Sequence, residues 1–228
     1  AFMVVEKEYQ AEGLRRYLKR ELDGYLRGRG AERRKEPPMT LVQNEPYVWY
    51  QKGSLVMYAL KDYLGEERVN AALKKWLEQV KFRSAPYTNS YEFVQTIREF
   101  TPPEQQQLVS DLFEQITLFD NRAVEATWRK TPDQKYAVKI KLDTRKLRAD
   151  GLGAEKEIAI NDWIDIAVFK GEKKSEKPLY LAKRQISRNQ NEIEIIVDEE
   201  PSRAGVDPYN KLIDRKPEDN VIAVAKGT

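Results

Sequence analysis

The sequence predicts an α+β protein in which a helical lobe is followed by an antiparallel β-sandwich. Apolar residues recur every three or four positions through the first half of the chain and every second position after about Asp120 and Asn121. No apolar run approaches the roughly 20 residues that span a bilayer, so the chain reads as soluble. The expected organisation is a helical lobe over 1–120, a β-sandwich over 121–200 and an irregular tail over 201–228.

The first helix is predicted from Leu14, Tyr17, Leu18, Leu22 and Tyr25, which share one face while Arg15, Arg16, Lys19, Arg20 and Glu21 surround the rest. Gly28, Gly30 and the Pro37-Pro38 pair are expected to end it, and the polar stretch from Gly28 to Pro46 reads as an excursion over the surface. Leu55, Val56, Ala59, Leu60, Tyr63 and Leu64 form a second helical stripe, which Gly65 stops. Val69, Leu73, Trp76, Leu77 and Val80 form a third.

Thr88-Asn89-Ser90 offers caps for a helix that presents Phe93, Val94, Ile97 and Phe100. Thr101-Pro102-Pro103-Glu104 starts another, with Leu108, Leu112, Phe113, Ile116 and Phe119 on its buried face. Beyond Asn121, Val124, Ala126 and Trp128 alternate with polar residues. Thr131-Pro132-Asp133-Gln134 is turn chemistry, and Tyr136, Val138, Ile140 and Leu142 complete a hairpin. Further strands are expected at 157–160, 163–169, 179–186 and 192–197, separated by polar turns such as that from Gly171 to Lys177. The tail shows little period and reads as pinned along a surface.

The chain has 228 residues with neither histidine nor cysteine, and those zeros exclude much chemistry. Imidazole-dependent nucleophilic mechanisms, thiolate or imidazole zinc sites and disulfides are all outside its own means. With 40 Lys+Arg against 37 Asp+Glu, the signs are interspersed, so no nucleic-acid partner is expected. The chain opens at Ala1 on an apolar, helix-favouring segment, which reads as a cut inside a larger protein.

The most informative segment is Pro46-Tyr47-Val48-Trp49-Tyr50-Gln51-Lys52-Gly53-Ser54-Leu55, at the entry to a buried helix. Tyr50-x-Lys52-Gly53 followed by an apolar helix resembles the tyrosine motif of the zinc aminopeptidases related to aminopeptidase N and leukotriene hydrolase, the gluzincins. The resemblance implies that Tyr50 is the catalytic site residue, its hydroxyl stabilising the oxyanion of a tetrahedral intermediate. A phenol suits that role because it keeps its proton at neutral pH and donates where charge develops. Gly53 is expected to permit close backbone packing. No role for Lys52 follows from the sequence.

The domain order implied is the end of a thermolysin-like catalytic domain followed by a sandwich. Met3-Val4-Val5-Glu6-Lys7-Glu8-Tyr9, Leu26-Arg27-Gly28-Arg29-Gly30 and Asp207-Pro208-Tyr209-Asn210-Lys211-Leu212-Ile213-Asp214-Arg215 resemble bacterial members fused to a membrane region of transporter-permease type. The family's H-E-x-x-H helix, its glutamate ligand and its glycine-x-methionine-glutamate-asparagine strand have no counterpart in this chain. The expectation is therefore a C-terminal portion of a membrane-associated hydrolase. It would have no cofactor or metal ligand of its own and be inactive alone, with zinc, peptide substrate and an upstream catalytic lobe belonging to the parent protein. Self-association through apolar surface on residues 1–120 is expected. The contrasting expectation is a non-catalytic scaffold or partner-binding module of a transporter-like protein.

The remaining candidates read as structural. Asp207, Asp214 and Asp219 lack the spacing of a calcium loop and are expected to cap turns. Asp162 and Asp165 should face solvent on either side of Trp163, and the basic cluster of Arg15, Arg16, Lys19, Arg20, Arg33, Arg34 and Lys35 is broken by Glu21, Glu32 and Glu36 into a solvated face. Trp49, Trp76, Trp128 and Trp163 are expected in the core.

Overall fold

The structure is a computed structural model that describes residues 2–171 and 177–227. It is an α+β fold, helices first and then two sheets, and it divides into two compact units, Ala1–Thr117 with Arg148–Glu155 and Leu118–Leu147 with Lys156–Thr228.

The first unit begins with α1 (Phe2–Ala31), two helical segments that meet at Gln10, where φ is 59°. Leu14, Leu18, Leu22 and Tyr25 are buried, while Tyr17, expected beside them, is exposed. α1 ends at Ala31, within the expected region from Gly28 to Pro38, with Gly28 and Gly30 in its last turn. Glycine costs about 1 kcal/mol within a helix, and at Gly28 the bare backbone is where Tyr47 packs. The stretch that follows runs largely over the surface, as expected, and turns inward at Glu36 and Thr40, which are buried.

A π-helical turn, Tyr47–Lys52, leads into α2 (Gly53–Leu64), whose Leu55, Val56, Ala59, Leu60 and Leu64 are buried as expected. Gly65, at φ 87°, ends α2 in a conformation that costs side-chain-bearing residues most. α3 (Glu66–Val80) and α4 (Ser90–Glu99) follow, and Asn89 caps α4 by accepting from Glu92 N at 3.0 Å. Leu77, expected on the buried stripe of α3, is exposed. α2, α3, α4 and the short α5 (Gln106–Val109) share a core of Val56, Leu60, Val69, Ile97, Val109 and Phe113.

After α5 comes a second π-helical turn, Ser110–Glu114, and then strand β1 (Ile116–Lys130), so Ile116 and Phe119 belong to a strand and not to the predicted helix face. Residues 116–119 are all buried, so both faces of the strand are covered there, and the extended chain pairs with the tail: Phe119 N donates to Ile213 O and Arg215 N to Phe119 O.

One sheet runs β3 (Glu155–Ile158), β2 (Tyr136–Ala149), β1 and β9 (Ala225–Lys226), with β6 (Gln190–Val197) also antiparallel to β2. The other runs β5 (Lys177–Ile186), β4 (Asp162–Lys170), β7 (Arg203–Val206) and β8 (Val221–Ala223), antiparallel throughout. Val138, Ile140 and Ile195 of the first sheet and Ile164, Ile166, Val168 and Val206 of the second lie in one apolar core. Val124 departs from the expected inward alternation and is exposed.

The tail over 201–228, read from sequence as irregular, supplies β7, β8 and β9 and buries Tyr209, Leu212 and Ile213. Strands of two to four residues are too short to show a period, which is why they are illegible locally. The turn expected between Gly171 and Lys177 falls on residues 172–176, outside the described residues. Among the described residues no helix is long and apolar enough to cross a membrane.

Candidate active site

Tyr50 sits on the π-helical turn that opens α2. Val48 N and Trp49 N donate to Glu45 O to start the turn, and Gly53 N closes it by donating to Val48 O, five residues back, and to Tyr50 O. Ser54 Oγ donates to Tyr50 O at 2.5 Å. Such wide turns recur at functional sites because they rotate side chains off the ordinary helical stripe. The turn has two faces. Val48 and Lys52 are buried, whereas Trp49 is exposed and Tyr50 is 67% exposed, with the two rings edge-on at 6.0 Å.

Gly53 has no steric need to be glycine. A Cβ there would lie 3.5 Å from Met39 Cε and 3.6 Å from Val48 O, which is ordinary contact, so the close packing expected at this position is not what the structure has. Close packing occurs instead on α1. A Cβ on Gly28 would meet Tyr47 Cβ at 2.4 Å, and one on Gly24 would meet Gln51 Cγ at 2.9 Å. Two glycines four residues apart thus receive two side chains four residues apart, and the π-helical turn lies directly on the α1 backbone.

Beneath the turn is a buried polar network that sequence reasoning missed. Lys52 is 1% exposed, with Nζ 3.8 Å from Glu36 Oε1 and 5.3 Å from the centre of the Tyr25 ring. The ammonium donates no hydrogen bond to any described residue. Glu36 accepts from Tyr25 OH at 2.5 Å and from Arg29 Nε at 2.8 Å, and Arg29 also donates to Glu155 at 2.8 Å. Glu36 N donates to Gly151 O, which ties down the segment that carries the carboxylate. Tyr47 stacks on Tyr25 with centroids 6.1 Å apart.

The electrostatics follow from burial. Desolvation pulls Lys52 down to about 8, against the opposing pull of the Glu36 carboxylate and with help from the Arg29 charge. Burial, and then the negative charge of Glu36, push the Tyr25 and Tyr47 phenols above the ordinary tyrosine value, so both stay protonated donors. A sequence signal for this network did exist. Arg29 continues the buried stripe of Leu14, Leu18, Leu22 and Tyr25 at helical spacing, and an arginine on an inward face requires a carboxylate.

Other predicted candidates are placed as follows. Asp207 accepts from Lys211 N and Leu212 N, and Asp214 from Lys216 N, Asn121 N and Asn220 Nδ2, so both cap turns as expected. Burial raises Asp207 to about 8 and Asp214 to about 6. Asp165, expected to face solvent, is buried between Lys183 and Lys211, and Asp162 pairs with Lys146. Trp49 and Trp163, expected in the core, are exposed. The chain has no histidine or cysteine, and among the described residues no group of three or more acidic side chains is placed to hold a metal ion.

Two clefts open within the first unit, and the first of them reaches the turn at Trp49. One, of about 440 Å³, is lined by Met39, Trp49, Gly53, Met57, Phe93 and Phe113. The other, of about 470 Å³, lies among α1, α2 and α3 and is lined by Tyr17, Arg20, Met57, Tyr58, Lys61 and Leu73. An exposed phenol such as that of Tyr50 can donate a hydrogen bond to an anionic oxygen of a bound molecule.

No family model matches the chain, and no curated protein matches it. Among the solved structures that match is an aminopeptidase A of Legionella pneumophila, crystallised in complex with aspartic acid. The identity is 14% and the TM-score 0.44. The match covers all of this chain and 22% of that one, so the chain spans under a quarter of that structure's length.

Proposed function

We propose that this chain carries the transition-state-stabilising tyrosine of a zinc aminopeptidase. Tyr50 would donate its phenolic proton in a hydrogen bond to the oxygen on which charge develops when the scissile carbonyl is attacked. The observation that carries the reading is the placement of Tyr50. The one exposed phenol of the Tyr50-x-Lys52-Gly53 motif stands on a π-helical turn whose opposite face is buried and charged. A fixed donor costs no reorganisation as charge develops, which makes such groups effective.

The residues of this chain do not fit a zinc ion, since they include no imidazole or thiolate and, among the described residues, no acidic trio placed to replace them. In this reading the metal, its ligands and the general base come from sequence outside this chain, and the 228 residues alone hydrolyse nothing. Residues 1–120 form the end of the catalytic lobe, and the sandwich and tail follow it in the chain. The whole would be the soluble portion of a membrane-anchored bacterial peptidase acting on peptide amino termini.

The test is hydrolysis of aminoacyl p-nitroanilides by the complete natural polypeptide, with and without chelator, beside a Tyr50→Phe variant. The expected result is chelator-sensitive turnover that falls roughly 100- to 1000-fold in the variant. Full turnover by Tyr50→Phe overturns the assignment. A second reading, a partner-binding module without catalysis, is favoured by the fully exposed Phe82 and the largely exposed Tyr87. It gains if the complete polypeptide shows no peptidase activity.

A further inference from the structure

We propose that Lys52 and Glu36 form a positioning pair that holds the π-helical register of residues 47–52 and so sets the direction in which Tyr50 is presented. The proposal deepens the reading of Tyr50 given above.

A fully buried ammonium is an expensive way to fill space, because desolvation of the charge is offset only by nearby opposite charge. Lys52 has one carboxylate at 3.8 Å and an aromatic face at 5.3 Å, and its ammonium makes no hydrogen bond to any described residue. An apolar side chain of similar length would occupy the same volume without that cost. What an apolar side chain cannot supply is direction. Buried charged or polar groups are best attested where one register satisfies them and a neighbouring register does not.

The register in question is specific. Gly53 N donates to Val48 O five residues back, whereas an ordinary helix would pair it four residues back with Trp49 O. Relaxing the turn to α-helical geometry removes that one-residue offset. The side chains of 47–52 then rotate by roughly 100° relative to α2. Lys52 would leave Glu36, and Tyr50 would leave its exposed position.

Glu36 is well suited to act as the fixed point. Tyr25 and Arg29 of α1 hold its two carboxylate oxygens, its own N–H is bound by Gly151 O, and Arg29 is tied in turn to Glu155. A Cβ on Gly151, whose φ is 84°, would lie 2.4 Å from Glu36 O, so that approach is closed to any other residue. The anchor therefore rests on parts of the chain far from the motif, and Lys52 carries its position to Tyr50.

The experiment compares Lys52→Met, Glu36→Gln and the Lys52→Met/Glu36→Gln double variant. The double variant leaves no buried ammonium without its carboxylate, and its glutamine can accept from Arg29 through the amide oxygen and donate from the amide nitrogen to the Tyr25 hydroxyl. One readout is amide hydrogen exchange of Gly53 in the 228-residue chain, and the other is kcat and KM of the complete natural polypeptide on an aminoacyl p-nitroanilide. Lys52→Met is expected to fold, to exchange Gly53 N–H faster and to lose roughly 10- to 100-fold in kcat with KM within about twofold. Folded single and double variants with unchanged Gly53 exchange overturn the proposal. So does loss of folding in both Lys52→Met and the double variant, which would make the pair a general requirement of the fold. If Tyr50→Phe has no effect on turnover while Gly53 exchange still rises in Lys52→Met, the catalytic reading of Tyr50 fails and the register pair stands.

Discussion

Gly28 and Tyr47 touch so closely that a Cβ on the glycine would lie 2.4 Å from Tyr47 Cβ and 2.6 Å from its Cγ. Both atoms are near the Tyr47 backbone, so the tyrosine cannot swing aside without moving the π-helical turn. Tyr47 in turn stacks on Tyr25, which donates to Glu36. One bare backbone position on α1 therefore bears on the whole polar network.

Gly28→Ala is accordingly expected to destabilise the first unit by about 1–3 kcal/mol, the usual cost of overpacking. Gly30→Ala, in the same helix with nothing within 4 Å of its added carbon, is expected to be neutral or to stabilise by up to about 1 kcal/mol. Urea unfolding of the two variants beside the parent chain checks the contrast, and equal effects would contradict it.

The two units are expected to respond to pH in opposite ways. Lys52 titrates at about 8 when folded and at the ordinary 10.5 when unfolded. Between those values the unfolded chain holds a proton the folded chain has released, so this group makes stability rise with pH from 8 to 10.5, by an amount on the order of 3 kcal/mol. Asp207 and Asp214, at about 8 and about 6 when folded against 3.8 unfolded, do the reverse. The folded chain keeps protons the unfolded chain has lost, so their contribution falls as pH rises from about 4 to 8. Denaturant titrations at pH 5, 7, 8 and 10 test both arms, and Lys52→Met should abolish the rise at alkaline pH alone.

Asp214→Ala removes the acceptor for Lys216 N, Asn121 N and Asn220 Nδ2 from a site with no solvent exposure. Each buried donor left without a partner costs about 1–3 kcal/mol. The variant is expected to lose at least about 3 kcal/mol of stability, read as a lower urea midpoint. A loss below 1 kcal/mol would mean that the tail is not held by this carboxylate.

Much of the architecture was legible because its signals are local. The stripe of Leu55, Val56, Ala59, Leu60 and Leu64 and the alternation of Val138, Ile140 and Leu142 each name an element and its buried face within a dozen residues. Ile116 and Phe119 misled because the strand is buried on both faces at 116–119, so apolar residues three apart do not mark a helix there, and backbone pairing with Ile213 and Arg215 decided for the strand. Trp49 and Trp163 misled because an aromatic in an apolar run carries no record of which way its face turns.

The site divides in the same way. The sequence by itself determined that the chain is α+β, that it offers no imidazole or thiolate, and that Tyr50 precedes a buried helix. Composition and periodicity are written residue by residue and need no partner. Only the tertiary structure decided that Tyr50 stands on a π-helical turn, that Lys52 is buried against Glu36, and that Arg29, bound to Glu36, also reaches Glu155, 126 positions further on. A charge is buried or solvated according to whether an opposite charge meets it in space. In this chain, folding brings those charges together from separate stretches of sequence.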